Sequence, residues 1–134
     1  MTAITVPQTT ARDSFLRFAL RLDAVITGLM GVVGAALAPR VAELSGTTPA
    51  TEYALSAFFI VYGVVVVSLS MLQHVRLPGI AVVAGNVLFT VAAVAVVLAG
   101  VWPLTTAGVV LTLASGVYTL VMADLQYLGL RRMR

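Results

Sequence analysis

Gly79-Ile80-Ala81-Val82-Val83-Ala84-Gly85-Asn86-Val87-Leu88-Phe89-Thr90-Val91-Ala92-Ala93-Val94-Ala95-Val96-Val97-Leu98-Ala99-Gly100-Val101 decides the fold. The stretch holds no charged residue, and its only strongly polar side chains are Asn86 and Thr90. At about 1.5 Å of rise per residue, an apolar helix of about 20 residues crosses a hydrocarbon core of about 30 Å. A strand of a membrane barrel would alternate polar and apolar positions, whereas Val91 to Leu98 does not alternate. A lipid-facing segment must also satisfy its backbone polar groups internally, which a helix does alone. High β-branched content does not overturn that reading, because its bias against helix is weak.

Working outward, three more runs have this character. The spans are predicted at about 15–38, 53–73, 79–101 and 104–128, giving an all-α fold: a four-transmembrane-helix bundle. Residues 1–13 are expected to be a mobile polar tail, and 14–134 the membrane domain. Pro39 ends the first run, Ser45-Gly46-Thr47-Thr48-Pro49-Ala50 has turn chemistry, and Thr51 with Glu52 resembles a helix start. Leu77-Pro78-Gly79 and Trp102-Pro103 separate the later spans, with Thr105 or Thr106 available as a cap. Ala36-Leu37-Ala38 has the look of a signal cleavage site, but the Pro39 that follows favours an uncleaved helix.

Composition agrees. Of 134 residues, 60% are hydrophobic and 10% charged, with a mean hydropathy of +1.07. A soluble domain would carry about 25% charged residues. No cysteine is present, which excludes disulfides, thiol redox chemistry and thiolate metal sites. All eight basic residues are arginine. They sit at helix ends without interleaved aromatics, so no nucleic-acid partner is expected. Four spans place Arg12, Arg17, Arg21, Arg76, Arg131, Arg132 and Arg134 on one side and Arg40 alone on the other. The positive-inside rule then puts both termini in the cytoplasm and the protein in the cell's inner membrane. Tyr53 and Trp102 fall at the outer interface, and Tyr127 near the inner one.

Polar residues inside the spans carry the functional signal, because each is costly in lipid unless satisfied. Ala24 to Ala38 covers only about 22 Å, so Arg21 and Asp23 lie within or at the rim of the inner leaflet. The in-out-in-out threading brings Arg21, Asp23, Asn86, Asp124 and Ser68 or Ser70 to one layer, roughly 5–12 Å inside the cytoplasmic boundary. Within it, Arg21 is expected to pair with Asp124, and Asp23 with Asn86 or a hydroxyl. Arg17, Arg21, Ala24, Gly28, Gly31 and Ala35 share one helical stripe, whose small residues let another helix approach. Gly108, Thr112, Ser115, Thr119 and Gln126 form a second. Asp23 lies about 200° around from Arg21, with Thr27 and Gly34. Tyr62 and Tyr118 fall near the midplane, as packing residues with one hydrogen bond or as the lining of a pocket.

No catalytic residues, metal ligands or cofactor are expected. His74 is the only histidine and lies in a connection, and no phosphate loop, Gly-x-Ser-x-Gly elbow or His-Glu-x-x-His run occurs. Leu20-Arg21-Leu22-Asp23-Ala24-Val25-Ile26-Thr27-Gly28 and the ending Asp124-Leu125-Gln126-Tyr127-Leu128-Gly129-Leu130-Arg131-Arg132 resemble a group of small actinobacterial membrane proteins. That group has four helices, a first-helix Arg-Leu-Asp-Ala-Val-x-Thr-Gly and a late Leu-Gln-x-x-Gly-Leu-Arg-Arg. The resemblance implies topology and no activity. More loosely, the chain is similar to small four-helix multidrug transporters. Asp23 would stand for their first-helix acid, although their usual glutamate is missing. The expectation is a non-enzymatic membrane subunit or assembly partner, joined to copies of itself or to another membrane protein through its small-residue faces. The alternative is a small transporter or a lipid- or quinone-binding protein that uses the polar layer.

Overall fold

The computed structural model describes residues 12–133, so most of the expected N-terminal tail lies outside the described residues. Among the described residues five helices follow in order: α1 (Ser14–Ala36), α2 (Ala38–Ser45), α3 (Pro49–Leu69), α4 (Arg76–Ala99) and α5 (Thr106–Arg131). There is no strand among the described residues. The four long helices are apolar enough to cross a membrane, and less than a third of each apolar window is buried inside the chain.

Local chemistry explains the boundaries. Leu37 interrupts the first run at φ −114°, ψ 15°, and Pro39 then takes a first-turn place in α2, where its missing N–H costs nothing. The expected single span to Ala38 plus loop is thus a helix of 23 residues followed by one of 8. Gly46 closes α2 in the left-handed region at φ +82°, its N–H bonded to the Ala42 carbonyl at 2.9 Å. A side chain there would also strike the Pro103 carbonyl. α3 starts four residues before the expected Tyr53. Its cap is Thr48, whose hydroxyl accepts from the Thr51 N–H at 3.2 Å, and not Thr51 itself. α4 starts at Arg76 rather than Gly79, with Pro78 in its first turn. Thr105 caps α5, accepting from the Gly108 N–H at 3.0 Å.

The helices associate as two close pairs, α1 with α3 and α4 with α5, joined chiefly through α1 and α5. Glycines set the distances. A Cβ on Gly63 of α3 would lie 2.7 Å from the Ala24 carbonyl oxygen and 3.0 Å from Gly28 Cα, and one on Gly31 2.8 Å from the Ser56 carbonyl. A Cβ on Gly129 of α5 would lie 2.7 Å from Leu16 Cα. The small face of Gly28 and Gly31 is therefore occupied within the chain, by α3. Ala35 is half-buried beside it. α3 and α4 meet mainly through large side chains, such as Phe59 and Phe89 with ring centroids 5.9 Å apart.

One pole gathers the N-terminus of α1, the α3–α4 connection and the C-terminus of α5. Leu16, Leu20, Val66, Val75, Val82 and Leu130 pack there as an apolar core. Arg17, Arg76, Arg131 and Arg132 surround it; we call this the arginine pole. α2 covers the opposite pole, bound to α5 where the Thr105 N–H donates to the Ser45 carbonyl at 3.0 Å. The outer surface is apolar, with Leu88 68%, Leu98 81% and Val117 61% exposed. In water that would drive aggregation; against lipid it does not.

Candidate functional site

Asp23 is fully enclosed, at 0% exposure, and all four long helices supply its surroundings. Its Oδ1 accepts from the Tyr118 hydroxyl at 2.9 Å and from Thr27 at 3.1 Å. Its Oδ2 accepts from the Tyr62 hydroxyl at 2.7 Å, Asn86 Nδ2 at 2.9 Å and Gln126 Nε2 at 2.9 Å. Asn86 Nδ2 gives its second hydrogen to Gln126 Oε1 at 2.9 Å, so both are in use. Asn86 and Gln126 are 3% and 0% exposed.

A carboxylate is acceptor-only when ionised, with about four lone-pair positions. Five donors converge on this one, and all are neutral groups. No arginine comes within ion-pair distance of Asp23 among the described residues. The cluster is thus a shell of aimed dipoles around one buried acid, and a buried polar group with full partners holds its neighbours in a single register.

Next to it, Thr90 bonds Thr119 hydroxyl-to-hydroxyl at 2.7 Å and donates to the Gly116 carbonyl at 2.9 Å, fastening α4 to α5. Thr112 and Ser115, on the same stripe, bond carbonyls of their own helix at Gly108 and Thr112. At the arginine pole, Arg17 reaches from α1 to the end of α3. It donates to the carbonyls of Ser70 (2.8 Å), Leu72 (2.6 Å) and Gln73 (3.0 Å), and pairs with Asp13 at 3.0 Å. A cation there satisfies carbonyls that a helix C-terminus leaves open.

The expected layer is corrected in part. Asp23 and Asn86 meet as expected. Arg21 and Asp124 do not pair: both are exposed, on different sides of the bundle. Arg21 Nε instead donates to Ser70 Oγ at 3.2 Å. Asp124 opens into a groove of about 540 Å³ on the outer face of α4 and α5, beside Val83, Val87, Leu120, Val121 and Tyr127. Ser68 is exposed and bonds the Val64 carbonyl; Ser70 is buried but serves the arginine pole. A turn of about 200° separates residues two apart on a helix. Arg21 therefore faces away when Asp23 faces in, and Asp124 faces away when Gln126 faces in.

Tyr62, Tyr118, Thr27 and Gln126 are the members that the layer omitted. The signal was available for two of them. Thr27 is one turn from Asp23, and Gln126 shares the inner stripe with Thr112 and Thr119. A second groove of about 250 Å³ lies between Arg76, Ile80, Tyr127, Leu130 and Arg131. No Asp23-network residue lines either groove. Among the described residues no group of three or more His, Cys, Asp or Glu side chains is placed to hold a metal ion.

Comparison with known proteins adds no relative: no protein family, no curated protein and no solved structure matches the chain.

Proposed function

We propose that this chain is a non-enzymatic integral membrane protein of the cell's inner membrane, with both termini in the cytoplasm, that serves as a small subunit or assembly partner. One observation supports this above others. The polar side chains able to do chemistry are turned on each other, with five donors on Asp23 and both Asn86 amide hydrogens in use. The interior is a keystone that fixes four helices in register, and recognition falls to the outer surface. Because Gly28 and Gly31 are taken up by α3, partners meet the outer faces of α1, α4 and α5 instead of the small-residue stripes. The arginine asymmetry supports the orientation. The resemblance to small actinobacterial membrane proteins fits the same topology.

The test is purification in mild detergent with mass spectrometry of bound proteins and lipids. A stoichiometric partner, a second copy included, is expected. A lone monomer without bound protein overturns the reading.

A second reading has its own observation: Asp23 is an ionisable group buried inside a span, which by default marks a candidate functional site. It treats Asp23 as the site of a small transporter or of a lipid- or quinone-binding protein. On that reading the wild-type chain in proteoliposomes drives a pH- or substrate-coupled flux that folded Asp23→Asn lacks. Absence of flux in the wild type removes the transporter form.

A further inference from the structure

Two charged side chains close to the level of Asp23 stay outside the network around it. Asp124 has no hydrogen-bond or ion-pair partner among the described residues, and Arg21 holds only Ser70 and meets no carboxylate. Arg17, by contrast, is engaged by Asp13 and three carbonyls.

Their levels can be compared through the Asp23–Gln126 contact of 2.9 Å, which ties α1 to α5. Arg21 precedes Asp23 by two residues and so sits nearer the arginine pole. Asp124 precedes Gln126 by two on a helix of opposite direction and so sits nearer the α2 pole. The offset is about 6 Å along the axis, a gap that a long arginine side chain bridges. Helical phase puts Arg21 on the α3 flank of α1 and Asp124 on the outer α4–α5 face, so one chain cannot join them. Neighbouring copies inserted in the same direction share one depth and can.

We propose that copies of this chain associate side by side in the membrane, Arg21 of one pairing with Asp124 of the next. This rests on the subunit reading and names its partner. Charge complementarity selects the occupant: the acid needs a cation below the headgroup level, and the chain carries one there. Shape agrees. Val25, Leu29 and Val32 continue the exposed face of Arg21 as an apolar ridge, and Val83, Val87, Leu120 and Val121 line the groove beside Asp124. The contact joins two different faces, so repetition closes a ring or extends a row.

The absence of cysteine gives a test without background. Val32, 55% exposed, lies nine residues beyond Asp23, and Val117, 61% exposed, lies nine before Gln126. They share a level, and each sits within about 20° of its charged residue on the helix wheel. Chains carrying Val32→Cys, mixed in native membranes with chains carrying Val117→Cys, should form a disulfide-linked dimer on oxidation. Arg21→Gln or Asp124→Asn should lower the yield about tenfold, the loss expected for one interhelical polar contact. Arg21→Asp and Asp124→Arg in the same chain should restore it. Since the two residues do not touch within a chain, that rescue cannot come from repaired folding.

In a detergent that separates the copies, a thermal melt should be unchanged for Asp124→Asn, whose site lies outside the Asp23 network. No cross-link between folded, thiol-reactive chains, or a yield indifferent to both charges, overturns the proposal. If the cross-link fails while another membrane protein co-purifies, self-association falls and the subunit reading stands.

Discussion

At the scale of single residues, Asp23 organises the interior and its partners differ in what they add. Tyr118→Phe removes one donor and leaves four, so it should cost about 1–2 kcal/mol of stability. Asp23→Asn should cost more, because an amide NH₂ replaces an acceptor where donors already converge. Thermal unfolding in detergent, followed by circular dichroism, checks the order; an Asp23→Asn protein as stable as the Tyr118→Phe protein contradicts it. Much of this cluster was legible. Asp23 and Asn86 announce themselves as polar residues in apolar helices. Depth alone pairs Arg21 with Asp124 wrongly, because phase turns each away from its polar neighbour. Tyr62 was the hardest to see, since a tyrosine near a midplane reads equally well as packing.

At the scale of elements, two contacts hold the α1–α3 pair. Gly63 lets the backbones nearly touch, so Gly63→Leu should force the helices apart and destabilise by at least about 1–3 kcal/mol. Arg17 ties down the open end of α3, and Arg17→Gln should loosen residues 68–73 first. Hydrogen exchange would show that loss of protection as local, and uniform loss across all helices would refute it. The long helices were readable because lipid demands long apolar runs. α2 was not, because eight residues beginning beside a proline carry too little periodicity to separate from a turn. Helix starts slipped by up to four residues where two candidate caps, Thr48 and Thr51, stand close together.

At the scale of the whole molecule, the arginine asymmetry makes a prediction about sides. In intact cells an impermeant thiol reagent should label a single cysteine introduced at Arg40 and not one introduced after Met133, which should react only once the membrane is opened. The opposite pattern reverses the proposed topology, and labelling of both from outside overturns it. The threading also has a consequence in time. α5 brings two of the five hydrogen bonds that quiet Asp23, and α4 a third. While the chain is being made, the acid on α1 therefore has only Thr27 and Tyr62 to turn to until α4 and α5 follow. Quality-control proteases that recognise such exposed polarity would find a truncated chain lacking α5 an easy target, and the complete one a closed object.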